Sequence, residues 1–80
     1  MRALVYSKAA LKTLNKMPNR DSAALISKLE SYAKGERQDV VKLQGSEIHR
    51  LRHGDWRALF AITADTIKVA VILHRREAYR

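Results

Sequence analysis

The pair Gly54-Asp55 sits between two runs, residues 48–53 and 56–63, that read as strands. Such a pair suits the two-residue turn of a β-hairpin. A hairpin of known turn has a known register. His53 opposes Trp56, Arg52 opposes Arg57, Leu51 opposes Ala58 and Arg50 opposes Leu59. Residues 66–74, rich in β-branched side chains, read as a third strand entered through Ala64-Asp65. That turn sets Ile62 against Ile67, Phe60 against Val69, Ala58 against Val71 and Trp56 against Leu73. Side chains alternate between the faces of a sheet. One face therefore holds Leu51, Trp56, Ala58, Phe60, Ile62, Ile67, Val69, Val71 and Leu73, and is the expected core. The other holds Arg50, Arg52, Arg57, Leu59, Ala61, Lys68, Ala70, Ile72 and His74. A slip of one residue would bury three arginines, so the register is strongly specified.

The first half supplies the cover for the core face. Residues 2–6 read as a short strand. Ser7 can cap a helix by accepting a free backbone N–H, and Ala10, Leu11, Leu14 and Met17 recur at helical spacing. Pro18 ends that helix. A second helix starts at Asn19 or Asp21, carries Leu25, Ile26, Leu29, Tyr32 and Ala33 as its apolar stripe, and stops at Gly35. The short loop at Pro18 makes the two helices an antiparallel hairpin. Residues 36–46 show no period and read as a connector. The expected architecture is α+β over a single domain, 1–80: N-terminal strand, helix hairpin, then a three-stranded antiparallel meander forming one sheet.

Charge narrows the partners. Sixteen Lys and Arg face eight Asp and Glu, for a net +8. Residues 1–41 hold eight basic and four acidic groups, and residues 42–80 hold the same, so each half carries +4. The excess is spread over a folded surface, where nucleic acid is a common partner and an acidic protein the alternative. No apolar run reaches the roughly 18 residues of a membrane span. With no cysteine there is neither a disulfide framework nor a thiolate zinc site, which suits a reducing cytoplasm.

Arg52 and Arg57 facing each other across a hairpin, with Arg50 two residues along, is an unfavourable pairing by a few tenths to ~1 kcal/mol. A bound anion offsets it, and a planar guanidinium suits phosphate oxygens. The third strand runs into His74-Arg75-Arg76-Glu77-Ala78-Tyr79-Arg80, at the same sheet end. This mixture can bind phosphate, stack on a base and move a proton. His74 is either a proton carrier or a strand-end histidine bonded to Asp55, and Tyr79 either a site residue or a C-terminal anchor. Lys42, just before the sheet, can reach RNA. His49 and His53 lack ligand spacing with His74, so no metal site is expected. No glycine-rich phosphate loop and no nucleophile motif occurs.

Three stretches in this order carry a family resemblance. They are Tyr6-Ser7-Lys8-Ala9-Ala10-Leu11-Lys12-Thr13-Leu14; then Lys42-Leu43-Gln44-Gly45 with His49-Arg50-Leu51-Arg52-His53-Gly54-Asp55-Trp56-Arg57; then His74-Arg75-Arg76-Glu77-Ala78-Tyr79. Over nearly its whole length the chain resembles the RelE/ParE toxin superfamily. The resemblance implies the toxin of a type II toxin–antitoxin pair, without a cofactor. RelE-like members cut mRNA in the ribosomal A site, and ParE-like members inhibit DNA gyrase. A catalytically inactive antitoxin-binding homologue is the third possibility. The Arg75…Tyr79 ending is more RelE-like. That branch implies Arg57 on the scissile phosphate, Arg75 and Tyr79 as its catalytic partners, and Lys42, Arg50 and Arg52 on the RNA; His74 and Arg76, at the same sheet end, are expected to join them there. It also implies a cytoplasmic protein partnered by a cognate antitoxin and by mRNA in the ribosome, with DNA reached only through the antitoxin complex.

Overall fold

The computed structural model describes residues 1–78. In order they form β1 (Ala3–Tyr6), α1 (Lys8–Lys16), α2 (Asn19–Ala33), β2 (Val40–Lys42), β3 (Ile48–His53), β4 (Trp56–Ile62), β5 (Thr66–His74) and a helical turn, α3 (Arg75–Ala78). One five-stranded sheet runs β1-β5-β4-β3-β2. β1 lies parallel to β5, and all other neighbours are antiparallel. The fold is α+β, with the helix hairpin on one face of the sheet. Ala10, Leu14 and Met17 of the first helical segment and Leu25, Leu29 and Ala33 of α2 close over Leu51, Ala58, Phe60, Ile67, Val69 and Ile72. Leu11, expected in the α1 stripe, is half exposed instead. Among the described residues, no helix is long and apolar enough to cross a membrane.

Local chemistry accounts for the element ends. Gly54 is the hairpin residue with positive φ (+54°) and Asp55 has none, as a type II′ turn requires. Gly35 (φ +95°) ends α2 in a Schellman motif: Glu36 N–H donates to Ser31 O and Gly35 N–H to Tyr32 O, both at 3.0 Å. α2 starts at Asn19, directly after Pro18. His53 at the end of β3 is tied to Asp21 at the start of α2 (Nε2–Oδ1 3.4 Å), which pins the helix layer to the hairpin.

The β3–β4 register is the one read from Gly54-Asp55, including Arg52 opposite Arg57. Two expectations need correction. Residues 40–42, read as part of a connector, form an edge strand on β3, with Val40 opposite Leu51 and Val41 opposite Arg50. Along β4–β5, Ile62 opposes Ile67 and Phe60 opposes Val69 as expected, but Ala58 opposes Ile72 and Trp56 opposes His74. The ladder slips between Leu59 and Phe60, leaving Ala70 as the extra residue of a β-bulge. Beyond it the faces of β5 exchange. Ile72 and His74 turn toward the helices, and Val71 and Leu73 toward the open face.

Ser7 holds the bulge. Its N–H donates to Val69 O (2.9 Å) and its hydroxyl to Ala70 O (2.6 Å). The same hydroxyl accepts the Ala10 N–H (3.0 Å) and so caps α1. One side chain thus fixes where a helix starts and where a strand kinks. Ser7→Ala is expected to lower the unfolding free energy by about 1–2 kcal/mol, measured by denaturant titration. Thr13→Ala, which loses only a back-bond to Ala9 O (3.2 Å), should change it by no more than about 0.5 kcal/mol.

Candidate nucleic-acid interface

α1 and α2 pack on one side of the sheet, and neither covers the other face. Alternation from the observed register places Val41, Arg50, Arg52, Arg57, Leu59, Val71 and Leu73 there, at the hairpin end. The three arginines are in different states. Arg52 is exposed and lies 3.6 Å from Asp39 (Nε–Oδ2), a contact between two well-solvated groups that contributes little. Arg50 is half-buried, and its Nε is buried without a hydrogen-bond partner. Arg57 is only 5% exposed. Its Nη1 donates to Gly54 O (2.7 Å) and Trp56 O (3.1 Å), so the guanidinium folds back under the hairpin tip.

Neither Arg50 nor Arg57 has a carboxylate within ion-pair distance among the described residues. A guanidinium taken out of water without a counter-ion costs on the order of several kcal/mol. Backbone carbonyls offset part of that at Arg57 but leave the net charge in place. The open face therefore carries an uncompensated positive field, which an anion neutralises.

A second group stands at the same end of the sheet. Arg75 N–H donates to Asp55 O, which ties the start of α3 to the hairpin turn. An open recess of about 440 Å³ is lined by Asp55, His74, Arg75 and Arg76. His74 caps α3 reciprocally. Its Nδ1 accepts the Arg76 N–H (3.3 Å) while the Glu77 Oε1 accepts the His74 N–H (3.4 Å), the exchange of a capping box. Its ring meets the Trp56 indole edge-on, with centroids 4.9 Å apart. With Nδ1 engaged as an acceptor, Nε2 carries the ring N–H and is a hydrogen-bond donor.

The site residues expected from sequence thus fall into three places. Arg50, Arg52 and Arg57 share the open face. His74, Arg75 and Arg76 share the recess. His74 was expected on the arginine face; the bulge at Ala70 puts it on the helix side, where its partners are Trp56 and Arg76 rather than the Asp55 carboxylate. Lys42 is apart from both groups. It shares a row with His49 and Phe60 on the helix side and pairs with Glu47 at 3.7 Å. Tyr79 lies outside the described residues. Sequence reasoning missed Glu77 as the brace of His74 and Asp39 as the neighbour of Arg52. The spacing of Glu77, three residues after His74, is the signal that could have found the first.

No protein-family model matches the sequence, and no curated protein is significantly similar to it. Solved structures do share the architecture. A chain of the RelB–RelE antitoxin–toxin complex from Methanococcus jannaschii superposes with a TM-score of 0.79 at 22% identity, over 94% of each chain. The fold is RelE-like. YafQ from Escherichia coli strain BL21(DE3) gives a TM-score of 0.78 at 14% identity over the full length of both chains. The intact E. coli RelBE toxin–antitoxin complex gives 0.74 at 20% identity, over 90% of this chain and 94% of that one. In the RelE-like frame of this chain, the β3–β4 hairpin carries one arginine group and α3 the other.

Arg57 separates a structural from an electrostatic role. Arg57→Met keeps the length of the side chain and removes the charge. Unfolding stability should stay within about 1 kcal/mol or rise. Affinity for a single-stranded RNA should fall, with the slope of log K against log salt reduced by about 0.7. Denaturation and a salt series of binding measurements check the two halves.

Proposed function

We propose that this RelE-like chain is the toxin of a type II toxin–antitoxin system and cleaves mRNA in the ribosomal A site. The observation that carries the reading is the pair of partly or fully buried, carboxylate-free guanidiniums, Arg50 and Arg57, on the open face of a RelE-like sheet.

The reaction follows from RNA itself. The 2′-oxygen attacks the adjacent phosphorus in line, the bond to the 5′-oxygen breaks, and the products are a 2′,3′-cyclic phosphate and a 5′-hydroxyl. One proton leaves the 2′-hydroxyl and one reaches the 5′-oxygen. RNA brings its own nucleophile, so the proposed step is metal-independent. The protein must hold the in-line geometry and stabilise charge on the phosphate. Arg57 provides a fixed positive charge beneath the face; opening its contacts with the Gly54 and Trp56 carbonyls would let it bind a phosphate oxygen directly. Arg52 and Arg50 bind flanking phosphates. Arg75 and Arg76 hold the strand at the recess, and Lys42 meets RNA beyond the sheet edge. Tyr79 is the group proposed to exchange a proton or orient the base; His74, whose Nδ1 would have to release the Arg76 N–H to take up a proton, is the spare candidate. The ribosome as substrate carrier places the protein in the cytoplasm. A cognate antitoxin is the proposed protein partner, as RelB is of RelE in the M. jannaschii complex.

Inducible expression without antitoxin, followed by mapping of mRNA 5′ ends, tests this directly. Cuts within translated codons are expected, and Arg57→Ala with Arg75→Ala should abolish them while the protein remains folded. DNA breaks with intact mRNA would favour gyrase inhibition instead, and a folded double variant that cuts at full rate would overturn the site.

A further inference from the structure

Two rows of the core end in polar residues that meet. On α2, Asp21 precedes the fully buried Leu25 and Leu29 at helical spacing, so it continues their stripe by one turn. On β3, His53 follows the fully buried Leu51 by two residues and shares its face. Where the rows end, His53 Nε2 lies 3.4 Å from Asp21 Oδ1, and both side chains are largely sheltered. His53 Nδ1 is buried with no hydrogen-bond partner, so Asp21 is the polar group that orients the ring. Asp21 is not engaged in capping α2, whose start has no side-chain cap bond. Among the described residues this is the only polar side-chain contact between the helix hairpin and β3 or β4. For stability alone an apolar pair would serve at least as well, because desolvation offsets much of what the attraction gains.

The backbone carries this contact through to the arginine face. His53 is followed directly by Gly54, whose positive φ makes the turn, and its ladder partner is Trp56. Gly54 O and Trp56 O are the two acceptors of Arg57 Nη1, at 2.7 and 3.1 Å. Both carbonyls that cradle the buried guanidinium therefore belong to residues joined to His53, one by the chain and one by the ladder. The Asp21–His53 contact and Arg57 lie on opposite faces of the sheet, with the hairpin tip between them. Arg75 N–H holds Asp55 O, so the same turn is tied both to the helix layer and to α3.

We infer that Asp21 and His53 are positioning residues for Arg57. By fixing the tilt of the hairpin tip against α2, they fix the two carbonyls on which the guanidinium rests, and so where its charge stands beneath the open face. Neither residue touches RNA. Their part is to convert the position of the helix layer into the position of a charge on the far side of the sheet. A misplacement of about 1 Å at a reacting centre can cost on the order of a hundredfold in rate, so a small tilt of the tip is enough to matter. The inference rests on the nuclease reading only for what Arg57 acts upon.

The test reads the Arg57 side chain itself, by NMR of the folded chain at constant pH. In the unsubstituted protein its Nε–H signal should stand apart from those of exposed arginines and exchange slowly with solvent. His53→Leu should bring it into the exposed range, and Asp21→Ala, which removes nothing from the core, should do the same. His53→Gln, which puts an amide N–H near the place of Nε2, and Asp21→Asn, which keeps an acceptor oxygen, should restore it. Arg52, next to His53 in the chain but solvated, should keep its shift throughout. Binding of an uncleavable 2′-O-methyl RNA should keep its salt slope in His53→Leu, since no phosphate-facing charge is lost. Cleavage of mRNA on ribosomes should fall about ten- to a hundredfold in His53→Leu and Asp21→Ala and recover in the conservative variants. An Arg57 signal unmoved by Asp21→Ala, or moved equally by the conservative variants, overturns the proposal. So does a lowered melting temperature with the Arg57 signal in place. An Arg57 signal that responds as expected, in a chain that leaves mRNA intact, keeps the coupling and loses the nuclease reading.

Discussion

A sheet whose helix hairpin covers one face has the opposite face on which to put charge, and the rest of this molecule is arranged around that asymmetry. The apolar stripes of α1 and α2 close over Leu51, Ala58, Phe60, Ile67 and Val69. Because side chains alternate along each strand, burial of those residues sends Arg50, Arg52 and Arg57 to the opposite side. Nothing else in the fold is needed to gather them. What the fold adds is the treatment of Arg57, drawn beneath the hairpin tip onto two backbone carbonyls. A charge held this way cannot reorient as freely as an exposed side chain, so it places a fixed positive charge beneath the hairpin tip.

The β-bulge at Ala70 divides the labour at the hairpin end. Without it, His74 would lie on the arginine face. With it, the last strand turns Ile72 into the core and His74 toward Trp56, while Val71 and Leu73 give the arginine face an apolar floor. The same kink is anchored by Ser7, whose hydroxyl also starts α1. Helix layer, sheet curvature and the placing of His74 therefore depend on one side chain near the N-terminus. The arginines of the open face and His74 then approach the sheet end from two sides.

Much of this was legible in the sequence, and the limits have physical causes. The hairpin register was readable because a turn and a hydrophobic pattern agreed, and because the alternative would bury three guanidiniums. Both helix ends were readable because Ser7 and Gly35 have narrow stereochemical roles. The bulge was not readable. Val69-Ala70-Val71-Ile72 is apolar throughout, so either face of the strand satisfies the pattern and only the tertiary bonds from Ser7 decide. β2 escaped notice because three residues show no period. At the site, position could be read but state could not. Arg52 and Arg57 are opposite each other as expected, yet one is solvated beside Asp39 and the other buried, a difference set by side-chain direction rather than by register.

The central claim is that the open sheet face at the hairpin end, with its carboxylate-free guanidiniums, is where an RNA backbone binds. The most direct measurement follows arginine Nε–H and lysine side-chain resonances while a short 2′-O-methyl RNA, which cannot be cleaved, is titrated into the folded chain. The account predicts that Arg50, Arg52, Arg57 and Arg75 shift together and saturate at one RNA concentration, while Lys8, Lys12 and Lys16 on the helix layer stay in place. Shifts confined to those lysines, with the four arginines unmoved, would contradict it.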